Sequence, residues 1–122
     1  IFSKLGTVIE VDNDSKIDTF TGVIGSGPAY FFQTLKSFEK KLMRLCNQDE
    51  KIVREIIANL MKGVGSSIEK DGDLDNLIKE VASKKGTTEA GLKSLKSNNL
   101  NQIFEKGLNA AIKRSKEISN EF

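Results

Sequence analysis

Apolar residues recur at helical spacing along almost the whole chain after Asp18, and this pattern constrains the fold more than any other feature. Residues three and four apart share one face of an α-helix, so each run predicts an amphipathic helix with a face to bury. The longest run comprises Ile52, Val53, Ile56, Ile57, Leu60, Met61, Val64 and Ile68. Runs of similar length cover residues 31–45 and 100–118. The sequence therefore predicts an all-α fold, a helical bundle with long helices.

Capping residues and helix breakers predict where these helices begin and end. A short helix through Ile17 and Phe20 is expected to end near Gly25, and the turn at residues 71–73 ends the longest helix. Helix starts are predicted from Ser26 or Gly27 before Pro28, Asn47 with Glu50, Thr87 or Thr88, and Asn99 with Gln102.

The only convincing strand signal lies at the start of the chain, where β-branched residues cluster within residues 5–11. One strand needs a neighbour for its backbone hydrogen bonds, and the rest of the chain offers none. This short orphan N-terminal strand is therefore either the last piece of a missing sheet or an extended arm.

Composition excludes several classes of function. The chain has 122 residues, no His and a single Cys, so a His-dependent triad, a His or multi-Cys zinc site and an internal disulfide are all excluded. A net charge of +2 argues against a nucleic-acid partner. No apolar run reaches the roughly 20 residues that cross a bilayer, and no metal or membrane partner is predicted. We expect a cytoplasmic protein in which the lone thiol, Cys46, is buried rather than catalytic.

The helices are long for so small a domain, which favours burial of their apolar faces against a second copy. A helix of about 20 residues spans roughly 30 Å. Gly63 and Gly65 interrupt the longest helix with small residues, a pattern typical of close helix–helix approach. The sequence therefore predicts an oligomer.

Two segments contain more than packing requires. Residues 25–30, GSGPAY, open a helix whose free N–H groups suit an anion or a close backbone approach, although such a segment taken alone is usually just a tight turn. Residues 83–91, SKKGTTEAG, gather hydroxyls and a glycine at another helix start, where backbone N–H groups could hold a small carboxylate. A capped helix after a polar loop is the simpler alternative there.

Taken together, the two segments resemble the pyrroline-5-carboxylate reductase family. Residues 25–30 match its GSGPAY segment, and residues 81–88 are similar to its V-x-S-P-G-G-T-T loop. Residues 2–11 are similar to the stretch that closes the family's dinucleotide-binding domain. The resemblance covers nearly the whole chain, with about 55 residues between the two motifs.

The resemblance implies a C-terminal domain of a reductase that converts 1-pyrroline-5-carboxylate to proline with NADPH or NADH. Family members form an intertwined homodimer, some within larger rings, with the substrate at the dimer interface. The matched substrate-binding residues are Ser83, Gly86, Thr87 and Thr88, with the Thr88 hydroxyl as the catalytic group near the ring nitrogen. The matched turn bordering the nicotinamide comprises Gly25, Ser26, Gly27 and Pro28.

The resemblance also divides the chain: residues 1–12 correspond to the end of a dinucleotide-binding domain and residues 13–122 to a helical dimerisation and substrate-binding domain. The chain alone is expected to bind no cofactor and to be inactive. Lys84 and Lys85 replace the family's Pro-Gly, and Glu80 replaces an Asn. These departures favour the alternative, a degenerate free-standing helical dimer that acts as an interaction module without catalysis.

Overall fold

The computed structural model describes residues 13–82 and 86–121, and this part of the chain is helical almost throughout. The predicted all-α class is confirmed, while the predicted strand lies outside the described residues. The helices are α1 (Asp14–Phe20), α2 (Gly27–Leu45), α3 (Glu50–Asp71), α4 (Leu74–Ala82), α5 (Gly86–Ser97) and α6 (Leu100–Asn120). A π-helical turn, Thr21–Gly25, continues α1 toward the start of α2.

Two predicted helix caps are wrong. The cap of α3 is Asp49 rather than Asn47, because the Asp49 carboxylate accepts the N–H groups of Lys51 and Ile52 at 3.1 and 3.3 Å. Asn47 has a φ of 52° and belongs to the left-handed turn between α2 and α3. Thr87 and Thr88 were expected to cap α5, but this helix already begins at Gly86 and both residues lie in its first turn.

The turn at residues 71–73 ends α3 as predicted, and each of its last two residues has a separate task. Gly72 has a φ of 72°, a left-handed conformation that costs a residue with a Cβ about 1 kcal/mol. The Asp73 carboxylate then caps α4 by accepting the N–H groups of Asp75 and Asn76 at 3.0 and 3.3 Å. The chain therefore leaves one helix and enters the next within two residues.

The described residues fall into two compact units. The first unit contains residues 13–30 and 102–121, and the second contains residues 31–82 and 86–101. In the first unit, α1 and the π-helical turn contact α6 through Gly22 and Asp18, both of which are buried.

Asp18 is a buried carboxylate that accepts a hydrogen bond from a serine hydroxyl of α6. Ser115 donates to its Oδ1 at 2.7 Å. The Ser119 hydroxyl, one turn later, lies 3.4 Å from the same oxygen and makes its shorter hydrogen bond, 3.0 Å, to the Ser115 carbonyl. Burying a carboxylate is costly unless hydrogen bonds replace its hydration, so the Ser115 hydroxyl makes the burial tolerable. This hydrogen bond could not be predicted from the sequence, because Asp18 and Ser115 are 97 residues apart.

Replacing Ser115 with Ala is expected to destabilise the fold by about 2 kcal/mol, because Asp18 then loses this hydrogen bond while it stays buried. Ser119→Ala is the matched control and is expected to cost less, since its hydroxyl lies farther from Asp18. Urea unfolding of both variants checks the order. A Ser115→Ala variant as stable as the unsubstituted chain would show that the Asp18 carboxylate does not depend on Ser115.

In the second unit, α4 contacts both α3 and α5, yet most apolar side chains stay exposed. Among the residues that the structure describes, Val53 is the only hydrophobic residue in the fully buried class. Phe32 on α2 remains 68% exposed, and Val64 on α3 remains 45% exposed. The predicted apolar faces are therefore present, but the single chain does not cover them.

Gly63 and Gly65 are not points of close approach within this chain. A Cβ built on either residue has no atom of another residue within 4 Å. The close approach occurs instead at Gly22, where a Cβ would lie 2.7 Å from Ile112 Cγ1 and 2.8 Å from the Ile112 backbone nitrogen. The glycine-lined face of α3 is free to receive another surface.

Candidate functional site

The segment GSGPAY forms the corner between the π-helical turn and α2. Gly25 ends the π-helical turn, and α2 begins at Gly27, so that Pro28 is its second residue rather than its first. The Ser26 N–H donates to the Thr21 carbonyl at 3.0 Å. Proline costs no hydrogen bond here, because the first N–H groups of a helix have no partner within the helix.

Neither glycine of this corner is required by the chain's own geometry. Gly72 is the only glycine in the described ranges with a positive φ. A Cβ on Gly27 would meet nothing within 4 Å, and a Cβ on Gly25 would meet only Thr21 Cγ2 at 4.0 Å. The packing of the chain itself therefore does not call for glycine at either position. Their bare backbone suits the close approach of another group.

The other side of the same corner is firmly held. The Tyr30 hydroxyl donates to the Gly22 carbonyl at 3.1 Å and joins the start of α2 to the π-helical turn. Gly22 in turn packs against Ile112 of α6. The corner therefore has one anchored side and one open side, and the predictions from sequence assigned no task to Gly22 or Tyr30.

The second predicted segment lies at the start of α5. Gly86, Thr87 and Thr88 form the first turn of this helix, where the N–H groups lack partners within the helix. Gly86 and Thr87 are exposed, and Thr88 is half-buried. A Cβ on Gly86 would meet no atom within 4 Å. This turn is suited to a small anion or carboxylate. Ser83, together with Lys84 and Lys85, lies outside the described residues.

The two segments belong to different units, so each is described by itself. The corner at Gly25–Pro28 lies in the first unit and the first turn of α5 in the second. Cys46, expected to be buried, is half-exposed. In residues 13–82 and 86–121, no group of three or more Cys, Asp or Glu residues has the arrangement of a metal site. No described helix is both long and apolar enough to cross a membrane.

A groove that the predictions from sequence did not include lies between α3 and α4. Its volume is 610 Å³, and we call it the α3–α4 groove. Apolar side chains form most of its lining, chiefly Leu60, Val64, Ile68, Leu74, Leu77 and Val81. A second, smaller groove of 440 Å³ lies between α2 and α3. The apolar periodicity of α3 and α4 was the available signal, but periodicity cannot tell whether a face is covered from within the chain.

A helical chain with a bare-backbone corner and uncovered apolar faces has the features of an assembly domain. Comparison with known proteins agrees: residues 14–118 match the family model described as pyrroline-5-carboxylate reductase dimerisation. The chain belongs to this family. The resemblance stated from the two motifs is thereby confirmed.

Curated relatives carry the same name across almost the whole chain. The pyrroline-5-carboxylate reductase of Staphylococcus aureus (strain COL) is 41% identical over 121 residues, which is 98% of this chain and 44% of the relative. That of Staphylococcus haemolyticus is 38% identical over 98% of this chain and 44% of the relative. That of Haemophilus influenzae is 32% identical over 100% of this chain and 45% of the relative. The chain thus spans less than half the length of these relatives.

Proposed function

We propose that this chain is the dimerisation and substrate-binding part of an NAD(P)H-dependent pyrroline-5-carboxylate reductase of proline biosynthesis, working in the cytoplasm. The main support is that the two segments expected to bind ligands, GSGPAY and SKKGTTEAG, lie within the residues matched to the family. In this proposal residues 13–122 are the helical domain, and residues 1–12 are the end of a dinucleotide-binding domain.

Two copies of the chain form the proposed homodimer. Its support is the second unit, in which the apolar faces of α2, α3 and α4 are largely uncovered although their periodicity is that of buried helices. Static light scattering at micromolar concentration is expected to give the mass of two chains. A stable monomer would contradict the homodimer, and a larger mass would indicate a ring of dimers.

The substrate carboxylate is assigned to the first turn of α5. The backbone N–H groups of Gly86, Thr87 and Thr88 and the helix dipole favour an anion there. Ser83 is proposed as a further substrate-binding residue from its match to the family motif. The Thr88 hydroxyl is placed near the ring nitrogen, where it can both donate and accept a hydrogen bond. Reduction of the imine adds a hydride to carbon and a proton to nitrogen, so positioning of these two atoms is the protein's main task.

The nicotinamide cofactor is assigned to the open side of the GSGPAY corner. The residues at this border are Gly25, Ser26, Gly27 and Pro28. Their fit rests on the bare backbone at Gly25 and Gly27, which admits a flat ring without a side chain in the way. NADPH or NADH supplies the hydride when bound. A border is not a complete dinucleotide site, so the chain alone is expected to bind neither cofactor and to show no turnover.

A hybrid enzyme tests this function directly. The chain replaces the matching 44% of the Staphylococcus aureus relative, and the hybrid is assayed for NADPH oxidation that depends on 1-pyrroline-5-carboxylate. We expect turnover by the hybrid and none by the chain alone. A folded dimeric hybrid without turnover would instead support an interaction module that has lost catalysis, in agreement with the departures at Glu80, Lys84 and Lys85.

Replacing Thr88 with Val in the hybrid is expected to lower kcat/KM for the imine about tenfold or more, because the hydroxyl is lost while the shape is kept. Ser94→Ala is the matched control, since it removes an exposed hydroxyl from the same helix. Steady-state kinetics at saturating NADPH provide the comparison. Equal losses in both variants would remove Thr88 from the proposed site.

Binding by the chain alone gives a separate test. Proline carries the carboxylate and ring of the product, and a ligand that binds only the folded state raises the unfolding temperature. Millimolar proline is expected to stabilise the chain more than glycine does. If proline raises the unfolding temperature no more than glycine does, the proposed substrate site does not recognise the ring.

A further inference from the structure

The π-helical turn changes the hydrogen bonding of the GSGPAY corner. In a regular α-helix the Ser26 N–H would donate to the Gly22 carbonyl, four residues earlier. Here it donates to the Thr21 carbonyl at 3.0 Å, the spacing of a π-helix. The Gly22 carbonyl instead accepts the hydroxyl of Tyr30 at 3.1 Å. A side chain from α2 thus takes the position that a backbone donor has in a regular helix.

Gly22 is also the point where this segment meets α6. A Cβ at Gly22 would lie within 3.1 Å of three Ile112 atoms, two of them backbone atoms, so the two backbones approach as closely as glycine allows. Backbone atoms cannot move aside as the end of a flexible side chain can. Gly22 is therefore fixed against α6, and the Tyr30 hydroxyl transmits that position to the start of α2.

We propose that Tyr30 is a positioning residue for the GSGPAY corner: its hydrogen bond to Gly22 holds the backbone of Gly25–Pro28 in place relative to α6. The corner needs such support because Gly25 and Gly27 have no side chains with which to hold their own backbone in place. This inference rests on the proposed function only for its consequence, namely that a fixed backbone presents a constant surface to the nicotinamide.

Hydrogen–deuterium exchange of the chain tests the hydrogen bond. Tyr30→Phe removes the hydroxyl and keeps the ring, and exchange over residues 21–29 is expected to rise about fivefold, as loss of one typical hydrogen bond allows. Ser37→Ala, which removes an exposed hydroxyl elsewhere on α2, is the matched control and should leave this exchange unchanged. Exchange within α3 is expected to stay the same in both variants.

The sole tyrosine gives a spectroscopic test of the same contact. Tyr30 is the only Tyr in the chain and there is no Trp, so the Raman Fermi doublet of tyrosine reports on this hydroxyl alone. In the native chain we expect the two bands of the doublet to have the intensity ratio of a phenol that donates a strong hydrogen bond. After unfolding we expect the ratio of a phenol exposed to water. The same ratio in both states, or unchanged exchange in Tyr30→Phe, would overturn the proposal.

Kinetics of the hybrid connect the contact to function. Tyr30→Phe is expected to raise KM for NADPH several-fold while KM for the imine changes little, a split that general destabilisation would not produce. If exchange rises but the KM for NADPH does not change, Tyr30 stabilises the fold and has no role in cofactor binding. Failure of the unsubstituted hybrid to turn over would reject the proposed function, and the exchange and Raman results would still decide the role of Tyr30.

Discussion

Replacing Gly22 with Ala is expected to destabilise the chain by about 3 kcal/mol and to lower its unfolding temperature by roughly 10 °C. The added Cβ would lie 2.7 Å from Ile112 Cγ1 and 2.8 Å from the Ile112 nitrogen. Relief therefore requires α6 to move away from the π-helical turn. That movement would also stretch the nearby Asp18–Ser115 hydrogen bond, so one methyl group disturbs both contacts.

The control for Gly22 is Gly107→Ala on α6. Both glycines belong to the first unit, but a Cβ on Gly107 would meet no atom within 4 Å. Alanine there is expected to be neutral or to stabilise the chain by up to about 1 kcal/mol, because it favours the helix. Thermal unfolding at one protein concentration gives the comparison. Similar effects of the two substitutions would mean that the π-helical turn and α6 do not meet as described.

Replacing Val64 with Lys is expected to weaken the proposed homodimer at least about 100-fold. Val64 lies in the α3–α4 groove and is 45% exposed in the single chain, so an isolated chain accommodates lysine at little cost. Covering the groove with a second copy would bury the ammonium without a partner. The loss should therefore appear in association far more than in helix content.

Glu55→Gln is the matched control, because it raises the net charge by the same one unit on the same helix. Nine residues separate Glu55 from Val64, which places them on opposite sides of α3 at 3.6 residues per turn. Sedimentation equilibrium is expected to show dimers for Glu55→Gln and monomers for Val64→Lys. If Val64→Lys also remains dimeric at nanomolar concentration, the groove is not part of the interface.

The helices could be predicted because their signals lie in residues that are close together in the sequence. The apolar residues of α3 recur three and four positions apart, and the pattern stops at Gly72 and Asp73, which are poor helix formers. Caps were less predictable, since Asn47 and Asp49 are both good caps and the choice depends on the path of the turn. An N-cap residue has an extended backbone, which Asp49 has, whereas Asn47 has a left-handed φ.

The candidate site was predictable only as two motifs. Their sequence resemblance identified the corner at Gly25–Pro28 and the first turn of α5. It gave no reason to select Gly22, because a single glycine in a helical run has the same appearance whether it faces solvent or another backbone. The contact with Ile112 joins positions 90 residues apart, and no local pattern encodes such a pair. The anchored side of the corner therefore emerged only from the structure.

The scarcity of buried side chains changes how the stability of this chain has to be defined. Val53 is the only hydrophobic residue fully buried among the described residues, so the proposed homodimer would supply apolar burial that the single chain lacks. Association of folded chains stabilises them, so unfolding depends on protein concentration as well as on temperature and denaturant. An unfolding midpoint for this chain has a meaning only together with the concentration at which it was measured.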